Sequence, residues 1–322
     1  MKGRQPVHEA MSELRPEKEV MREFWLEEAK AYSERYPEDT DPLFLTLPGP
    51  AAYDVRLLID QGLLALTESG AIAEDQQFRV VCIERNGMAV AELIQQFPGM
   101  KIIEGTVENL LAWQSQFNWP AKKDRRLFRA RVVNLDLNTG LIAQSAGGLV
   151  VFPVIEVIRK LLEIHAGPQP LQWTLCLTLN GTIPWPVQVA ESAQAFMREN
   201  LGRDDEFRVR ATNALTKDFV ERLVAANTID FKDLDRVEQQ RFLMVFVPKK
   251  IAQVVQNLGW RLVTKHNFRY GTPPNAPMAA WILEFIPAGS LISTPDAGYR
   301  KALREIFSNF TQIASDGSLG KA

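Results

Sequence analysis

Polar residues that could bind a ligand follow two of the short apolar runs in the sequence. Gly49 directly follows the run PLFLTLP, which contains Thr46, and Glu84 ends a later run, FRVVCIE. Glycine lets a backbone approach a ligand closely because it has no Cβ. A carboxylate can accept two hydrogen bonds from neighbouring hydroxyl groups. We therefore expect the turn at Gly49 and the carboxylate of Glu84 to converge on one ligand at the same edge of a sheet.

Two further apolar runs end in polar residues. Gly105 and Thr106 follow MKIIE, and Asn134 and Asp136 lie at the end of RARVVNLD. Each has a plain structural alternative. Thr106 suits a helix N-cap, with Asn109 at the third helical position, and Asp136 suits a turn in the segment Asp-Leu-Asn-Thr-Gly. The sequence leaves these alternatives open.

The elements that must position these residues are visible as alternating patterns. Short apolar runs, rich in β-branched or aromatic residues, lie at 42–48, 78–84, 100–105, 129–136 and 171–179. Apolar residues recur at three and four positions in the segments between them, at 51–66, 87–97, 106–117 and 152–165. This alternation predicts βαβ units, and hence an α/β fold with a doubly wound, mainly parallel sheet.

The order of elements changes near the C-terminus. Two strand-like runs, 259–271 and 278–287, are separated by TPPNAP, which is too short for a crossover helix. They are therefore expected to pair as an antiparallel hairpin. Residues 187–258 are longer than one crossover helix requires and indicate a helical insertion. Within them, periodicity does not decide whether LMVFV is a strand or part of a helix that bends at Pro248.

These patterns suggest three parts of the chain. Residues 1–41 form an N-terminal helical extension with an amphipathic helix, which packs on the body of the protein or on a protein partner. Residues 42–287 form the main domain, and residues 288–322 form a C-terminal helix and a tail that frays at its end.

Composition excludes several classes of protein. With 322 residues and 46% hydrophobic content, the chain can fold without a disulfide or metal. The net charge of −2 gives no field that would favour indiscriminate binding to nucleic acid or membranes. Cys82 and Cys176 lie in apolar runs and are expected to be buried, and three histidines without a CxxC motif give no zinc site. No segment looks like a signal peptide or membrane span, which suggests a cytoplasmic protein.

Five parallel strands followed by an antiparallel hairpin resemble class I S-adenosylmethionine-dependent methyltransferases, in which the last strand inserts antiparallel beside the fifth. The resemblance covers residues 42–287 and implies that S-adenosylmethionine is the cofactor. It implies cofactor binding by Thr46, Pro48, Gly49, Glu84, Gly105, Thr106 and Asp136, catalytic roles for Asn134 and Asp136, and no metal.

The resemblance also assigns a role to each position. The family's first motif is a glycine turn at the methionine moiety; this chain supplies one glycine, Gly49, where the family has two or three, and a Pro-Gly turn without a ligand is the alternative. In the family, an acidic residue at Glu84 accepts both ribose hydroxyls; dinucleotide-binding folds share such a residue, and a solvated strand end is its alternative. The resemblance places Thr106 near the adenine.

The fourth-strand tip is similar to that of tRNA guanine-N2 dimethyltransferases, which carry D-x-D-P-[FY]-G. Asn134 and Asp136 match its polar positions, whereas Leu137 stands where proline is expected and Asn138 where an aromatic residue is expected. The resemblance therefore favours a nucleic acid, through an RNA or DNA base, as the methyl acceptor.

A basic segment precedes the fourth run. Residues 121–131 hold six basic residues and one acidic residue, namely Lys122, Lys123, Arg125, Arg126, Arg129 and Arg131 with Asp124. Such a cluster can neutralise phosphates, although it is also typical of a solvated loop. Trp185, after the fifth run, is a candidate lid over the substrate, and core packing is its alternative.

Two other functions remain open. A methyltransferase-like scaffold without catalytic activity would recruit partners through the N-terminal helix and the basic segment. A nucleotide- or nicotinamide-dependent enzyme would instead show parallel pairing at the C-terminus.

Overall fold

The structure is a computed structural model, and it describes most of the chain. The described residues are 15–49, 51–113, 125–137, 141, 143–144, 150–181, 185–225, 229–271, 276–289 and 295–321. The strands are β1 (Phe44–Thr46), β2 (Val80–Glu84), β3 (Lys101–Glu104), β4 (Val132–Asp136), β5 (Ala143–Gln144), β6 (Val150–Val151), β7 (Trp173–Asn180), β8 (Trp260–Tyr270), β9 (Met278–Pro287), β10 (Phe310–Ile313) and β11 (Leu319–Lys321). The α-helices are α1 (Pro16–Arg35), α2 (Tyr53–Asp60), α3 (Gly87–Gln96), α4 (Pro153–His165), α5 (Val187–Arg203), α6 (Asp205–Leu215), α7 (Lys217–Val224), α8 (Arg236–Asn257) and α9 (Pro295–Glu305).

Strands and helices alternate along the chain, and the sheet mixes parallel and antiparallel pairs. The predicted α/β class is therefore confirmed. Residue contacts divide the chain into two compact units. Unit 1 comprises Met1–Asn134 with Ser315–Gly317, and unit 2 comprises Leu135–Ala314 with Ser318–Ala322. No helix in the described parts of the chain is both long and apolar enough to cross a membrane.

Unit 1 contains parallel strands. β1 pairs with β2 and with β4, and β2 pairs with β3, so that the order is β3-β2-β1-β4. These strands are short. Nearly all side chains of β1, β2 and β4 are buried, as expected for central parallel strands. Cys82 is buried in β2, as predicted, and burial raises the pKa of its thiol above the usual range.

The predicted N-terminal helix is present as α1. Pro16 occupies its first turn together with two acidic residues, a composition that suits a helix start. Met21, Trp25, Ala29 and Tyr32 recur at three and four positions and are all buried. The ring of Trp25 lies 4.6 Å from the ring of Phe44 in β1, so α1 belongs to the core of unit 1.

Unit 2 contains the predicted antiparallel hairpin. β8 and β9 pair antiparallel over their whole length, with one irregularity between Thr264 and His266. β9 also pairs antiparallel with β7, and the amide of Leu137, just after β4, donates to the carbonyl of Thr178 in β7. The order in unit 2 is therefore β4-β7-β9-β8. The antiparallel pairing of β9 with β7 and β8 differs from the parallel pairing expected for a nicotinamide-dependent enzyme.

The predicted C-terminal helix is present as α9, but the tail that was expected to fray forms strands. After α9, β10 pairs in parallel with β8, and β11 pairs antiparallel with β10. β8 offers an edge with unpaired backbone groups that a short segment can satisfy. The segments are only four and three residues long, so their sequence carries little strand signal.

The predicted helical insertion is present as α5 to α8, and LMVFV lies inside the helix α8. A capping box between Asp235 and Glu238 starts this helix, and Pro248 lies in its interior. Residues 242–248 are all buried. A helix that is buried on every side shows no apolar periodicity, which explains why the pattern alone did not decide between strand and helix.

Candidate functional site

The parallel strands of unit 1 bring the predicted cofactor residues to one edge of the sheet. Thr46 in β1 pairs with Cys82 in β2, and Glu84 pairs with Glu104 in β3. Gly49 follows the carboxyl end of β1, and Glu84 is the carboxyl end of β2. Because carboxyl ends of parallel strands share an edge, the turn and the carboxylate lie on the same rim of unit 1, as the sequence predicted.

The turn after β1 has an unusual backbone. Gly49 has φ +59° and Ala52, the residue before α2, has φ +50°. No described atom would lie within 4 Å of a Cβ added to Gly49. The left-handed conformation therefore explains the glycine, and the turn leaves space beside the backbone.

A buried carboxylate that the sequence analysis missed lies next to this turn. Asp54, in the first turn of α2, is 8% exposed. Its Oδ2 atom accepts hydrogen bonds from the hydroxyl of Thr46 at 2.5 Å and from the side-chain amide of Asn134 at 3.0 Å. The Nε atom of Arg22 in α1 lies 3.7 Å from its Oδ1. The sequence did contain a signal for Asp54: it is an acidic residue in the first turn of the helix that follows the turn at Gly49.

This cluster changes how Thr46 and Asn134 can act. Both side chains are buried, and both donate to the carboxylate of Asp54. Their polar groups thus hold α2 against β1 and β4 and set the position of the glycine turn between β1 and α2. The bond to Asp54 uses one N–H of the Asn134 amide and leaves its second N–H and its oxygen for other partners.

Glu84 has a local hydrogen bond as well. Its Oε1 atom accepts from the backbone amide of Asn86 at 2.8 Å, and its carbonyl oxygen accepts from the amide of Gly105 at 2.9 Å. The Glu84 side chain is half-buried, whereas Glu104 beside it is exposed. Glu84 is therefore held at the strand end by its own loop and is accessible to a ligand.

Gly105 and Thr106 begin the segment after β3. Gly105 has φ +147°, a conformation that favours glycine. The hydroxyl of Thr106 accepts a hydrogen bond from the amide of Asn109 at 3.1 Å, at the start of the helical turn Glu108–Trp113. The N-cap alternative for Thr106 is thus what the structure shows, and contact with adenine stays a prediction.

Asp136 ends β4 in unit 2 and is half-buried. Leu137, the residue that follows it, is buried, and its backbone is tied to β7. The predicted turn residues Asn138, Thr139 and Gly140 lie outside the described residues.

The arginines of the basic segment pair with acidic residues within unit 1. Arg126 and Arg129 lie 3.2 Å and 3.7 Å from the carboxylate of Asp41. Arg131 lies 2.5 Å from Asp39 and stacks over the ring of Tyr36. Two carboxylates thus pair with three of the six basic residues. Arg125 is exposed, and Lys122 and Lys123 lie outside the described residues.

Trp185 packs in the core of unit 2 and does not form an exposed lid. It is 6% exposed, and its ring stacks on Phe231 at a centroid distance of 5.0 Å. Phe242 and Phe246 of α8 meet it edge-on. The core alternative for Trp185 is therefore the one observed.

No protein-family model and no curated protein sequence matches the chain. In the described part of the chain, no group of three or more histidine, cysteine, aspartate or glutamate side chains is arranged to hold a metal ion.

Proposed function

We propose that the protein is an S-adenosylmethionine-dependent methyltransferase with a methyltransferase-like sheet. The observation that carries the proposal is the position of β9, which runs antiparallel between β7 and β8. This position is compatible with the hairpin arrangement of the class I family that the sequence resembles. The parallel order β3-β2-β1-β4 in unit 1 supports it.

The residues at the rim of unit 1 fit an adenosyl ligand. The turn at Gly49 leaves open space, and the Glu84 carboxylate at the end of the adjacent strand is half-buried and accessible. In this proposal Thr46, Pro48 and Gly49 shape the site for the amino acid moiety, Glu84 accepts from the ribose hydroxyls, and Gly105 and Thr106 lie near the adenine.

S-adenosylmethionine supplies an electrophilic methyl group on a sulfonium. The residues of the chain contribute orientation and exclusion of water. In this proposal Asp136 orients the acceptor and takes up its proton. Asn134 acts indirectly, because its amide holds Asp54 and thereby the helix that follows the glycine turn.

The proposed acceptor is a base of RNA or DNA. This part rests on the similarity of the β4 tip to guanine-N2 dimethyltransferases and on Lys122, Lys123, Arg125 and Arg126. Ion pairs with Asp39 and Asp41 reduce the charge that Arg126, Arg129 and Arg131 offer to phosphates.

Calorimetric titration tests the cofactor. S-adenosylmethionine and its demethylated product should both bind, and Glu84→Ala should weaken each at least about tenfold because two charge-assisted hydrogen bonds are lost. Glu104→Ala is the matched control, since Glu104 pairs with Glu84 in register and is exposed; its affinity should equal that of the wild type. Equal affinity in both variants would refute the ribose role of Glu84.

Transfer of a labelled methyl group to total RNA, DNA or protein then identifies the acceptor. Label in protein alone would refute the nucleic-acid proposal.

The second candidate is a methyltransferase-like scaffold. It is favoured by the internal hydrogen bonds of Thr46 and Asn134 to Asp54, and absence of heat with either adenosyl compound would support it.

A further inference from the structure

Two arginines in unit 2 lie close together without an acidic partner among the described residues. Arg241 belongs to α8 and Arg269 to β8, and neither forms an ion pair within the described parts of the chain. The Nε atoms of both are buried and have no hydrogen-bond acceptor there. Buried guanidinium groups normally have partners, so this pair needs an explanation.

The packing of α8 against the β8–β9 hairpin brings the two side chains together. Gln240, the residue before Arg241, donates to the carbonyls of Tyr270 and Met278 at 3.1 Å and 3.0 Å. The second turn of α8 therefore lies against the carboxyl end of β8. Arg241 follows Gln240 in α8, and Arg269 precedes Tyr270 in β8, so both arginines neighbour this contact.

The strand register shows that Arg269 lies on the face that α8 covers. Trp281 donates its indole N–H to the carbonyl of Met244 in α8 at 3.3 Å, and Trp281 pairs with Asn267 in β8. Paired residues share a face of the sheet, and so do residues two apart on one strand. Arg269, two residues after Asn267, therefore shares this face.

The third polar group at this place is an amide. The Nη2 atom of Arg269 donates to the Oε1 atom of Gln312 in β10 at 2.7 Å, and the two residues pair in register. This bond uses the oxygen of the Gln312 amide, and its nitrogen is a further hydrogen-bond donor. Two guanidinium groups and one amide thus supply donors at one place.

The electrostatics agree with uncompensated charge. Burial lowers the pKa of Arg269, and the positive charge of Arg241 lowers it further. Both side chains are half-buried and not fully enclosed. The two like charges therefore repel each other, and neither side chain is sealed from solvent.

We propose that Arg241, Arg269 and Gln312 form a binding site for a phosphate group. Planar guanidinium groups bind phosphate oxygens in pairs of hydrogen bonds, and an anion would remove the repulsion between the two arginines. The site belongs to unit 2 and is independent of the adenosyl ligand, so its test does not depend on the proposed methyl transfer.

Thermal unfolding of the full chain in inorganic phosphate tests the site, with sodium chloride at equal ionic strength as the reference. Phosphate should raise the Tm of the wild type above the reference. The phosphate concentration that gives half of the shift should rise at least about tenfold in Arg241→Gln and in Arg269→Gln. Without phosphate, Arg241→Gln should not unfold at a lower temperature than the wild type, because it removes a repulsion, whereas Arg269→Gln also loses the hydrogen bond to Gln312.

Arg261→Gln is the matched control, because Arg261 is exposed on the same strand; its phosphate response should equal that of the wild type. A second series with a single-stranded oligonucleotide distinguishes a phosphodiester from free phosphate as the source. No phosphate shift in the wild type, equal shifts in all variants, or a lower Tm of Arg241→Gln without phosphate would overturn the proposal.

Discussion

Lys249 should make the stability of the protein depend on pH. This lysine lies in α8 and is 0% exposed. Its Nζ atom is 3.1 Å from the centroid of the Phe196 ring and donates to the Phe196 carbonyl at 2.5 Å. Burial lowers the pKa of Lys249 from 10.5 to about 7, although attraction to Glu199 opposes this shift. The folded protein therefore holds Lys249 neutral above about pH 7.

The sign and size of the effect follow from proton linkage. Between about pH 7 and 10.5 the unfolded chain binds a proton at Lys249 that the folded protein does not bind. Lys249 therefore makes the free energy of unfolding rise with pH in this window, by at most about 1.4 kcal/mol per pH unit. Below about pH 7 both states are protonated and this contribution to the slope vanishes. From pH 7 to 9 the total is at most about 2.7 kcal/mol.

Urea unfolding of the wild type and Lys249→Met at pH 6, 7, 8 and 9 measures this contribution. The wild type should gain stability relative to the variant between pH 7 and 9, whereas the difference should change by less than about 0.5 kcal/mol from pH 6 to 7. Lys217→Met is the control, because the side chain of Lys217 is 80% exposed; its curve should run parallel to that of the wild type. Parallel curves for wild type and Lys249→Met would refute the argument.

Three further substitutions test the fold. Trp25→Ala should cost about 3–5 kcal/mol of unfolding free energy in urea, because it removes a 2% exposed ring from the core; a loss below about 1 kcal/mol would show that α1 does not pack on unit 1. Asp54→Ala should cost about 2–4 kcal/mol, since it leaves two buried donors without an acceptor; an unchanged urea midpoint would contradict this. Gly271→Ala should lower Tm, because a Cβ there would lie 2.1 Å from the carbonyl oxygen of Ala276 at φ +86°; an unchanged Tm would show that this turn relaxes freely.

Much of the element order was predictable from the sequence. The alternating runs indicated β1 to β4 and β7, and the short connection TPPNAP indicated the antiparallel hairpin. These features depend on local rules: apolar periodicity and the length of a connection. Strands as short as Phe310–Ile313 carry too little of that signal and form because β8 offers an edge.

The site was predictable only in part. Glu84 and Gly49 were placed at one rim because strand direction follows from crossover connections. The contact between Asn134 and Asp54 was not predictable, because the two residues are 80 positions apart in sequence. The uncompensated pair of Arg241 and Arg269 was equally hidden, since one lies on a helix and the other on a strand.

The sequence by itself determined where strands and helices begin and which polar residues follow the strand ends, because backbone preference and apolar spacing act over a few neighbouring residues. Only the tertiary structure decided which of those polar groups are free to meet a ligand. Asp54 engages Thr46 and Asn134, and Asp39 and Asp41 engage three arginines of the basic segment. Hydrogen bonds and ion pairs between distant segments depend on strand register and packing, which no local pattern encodes.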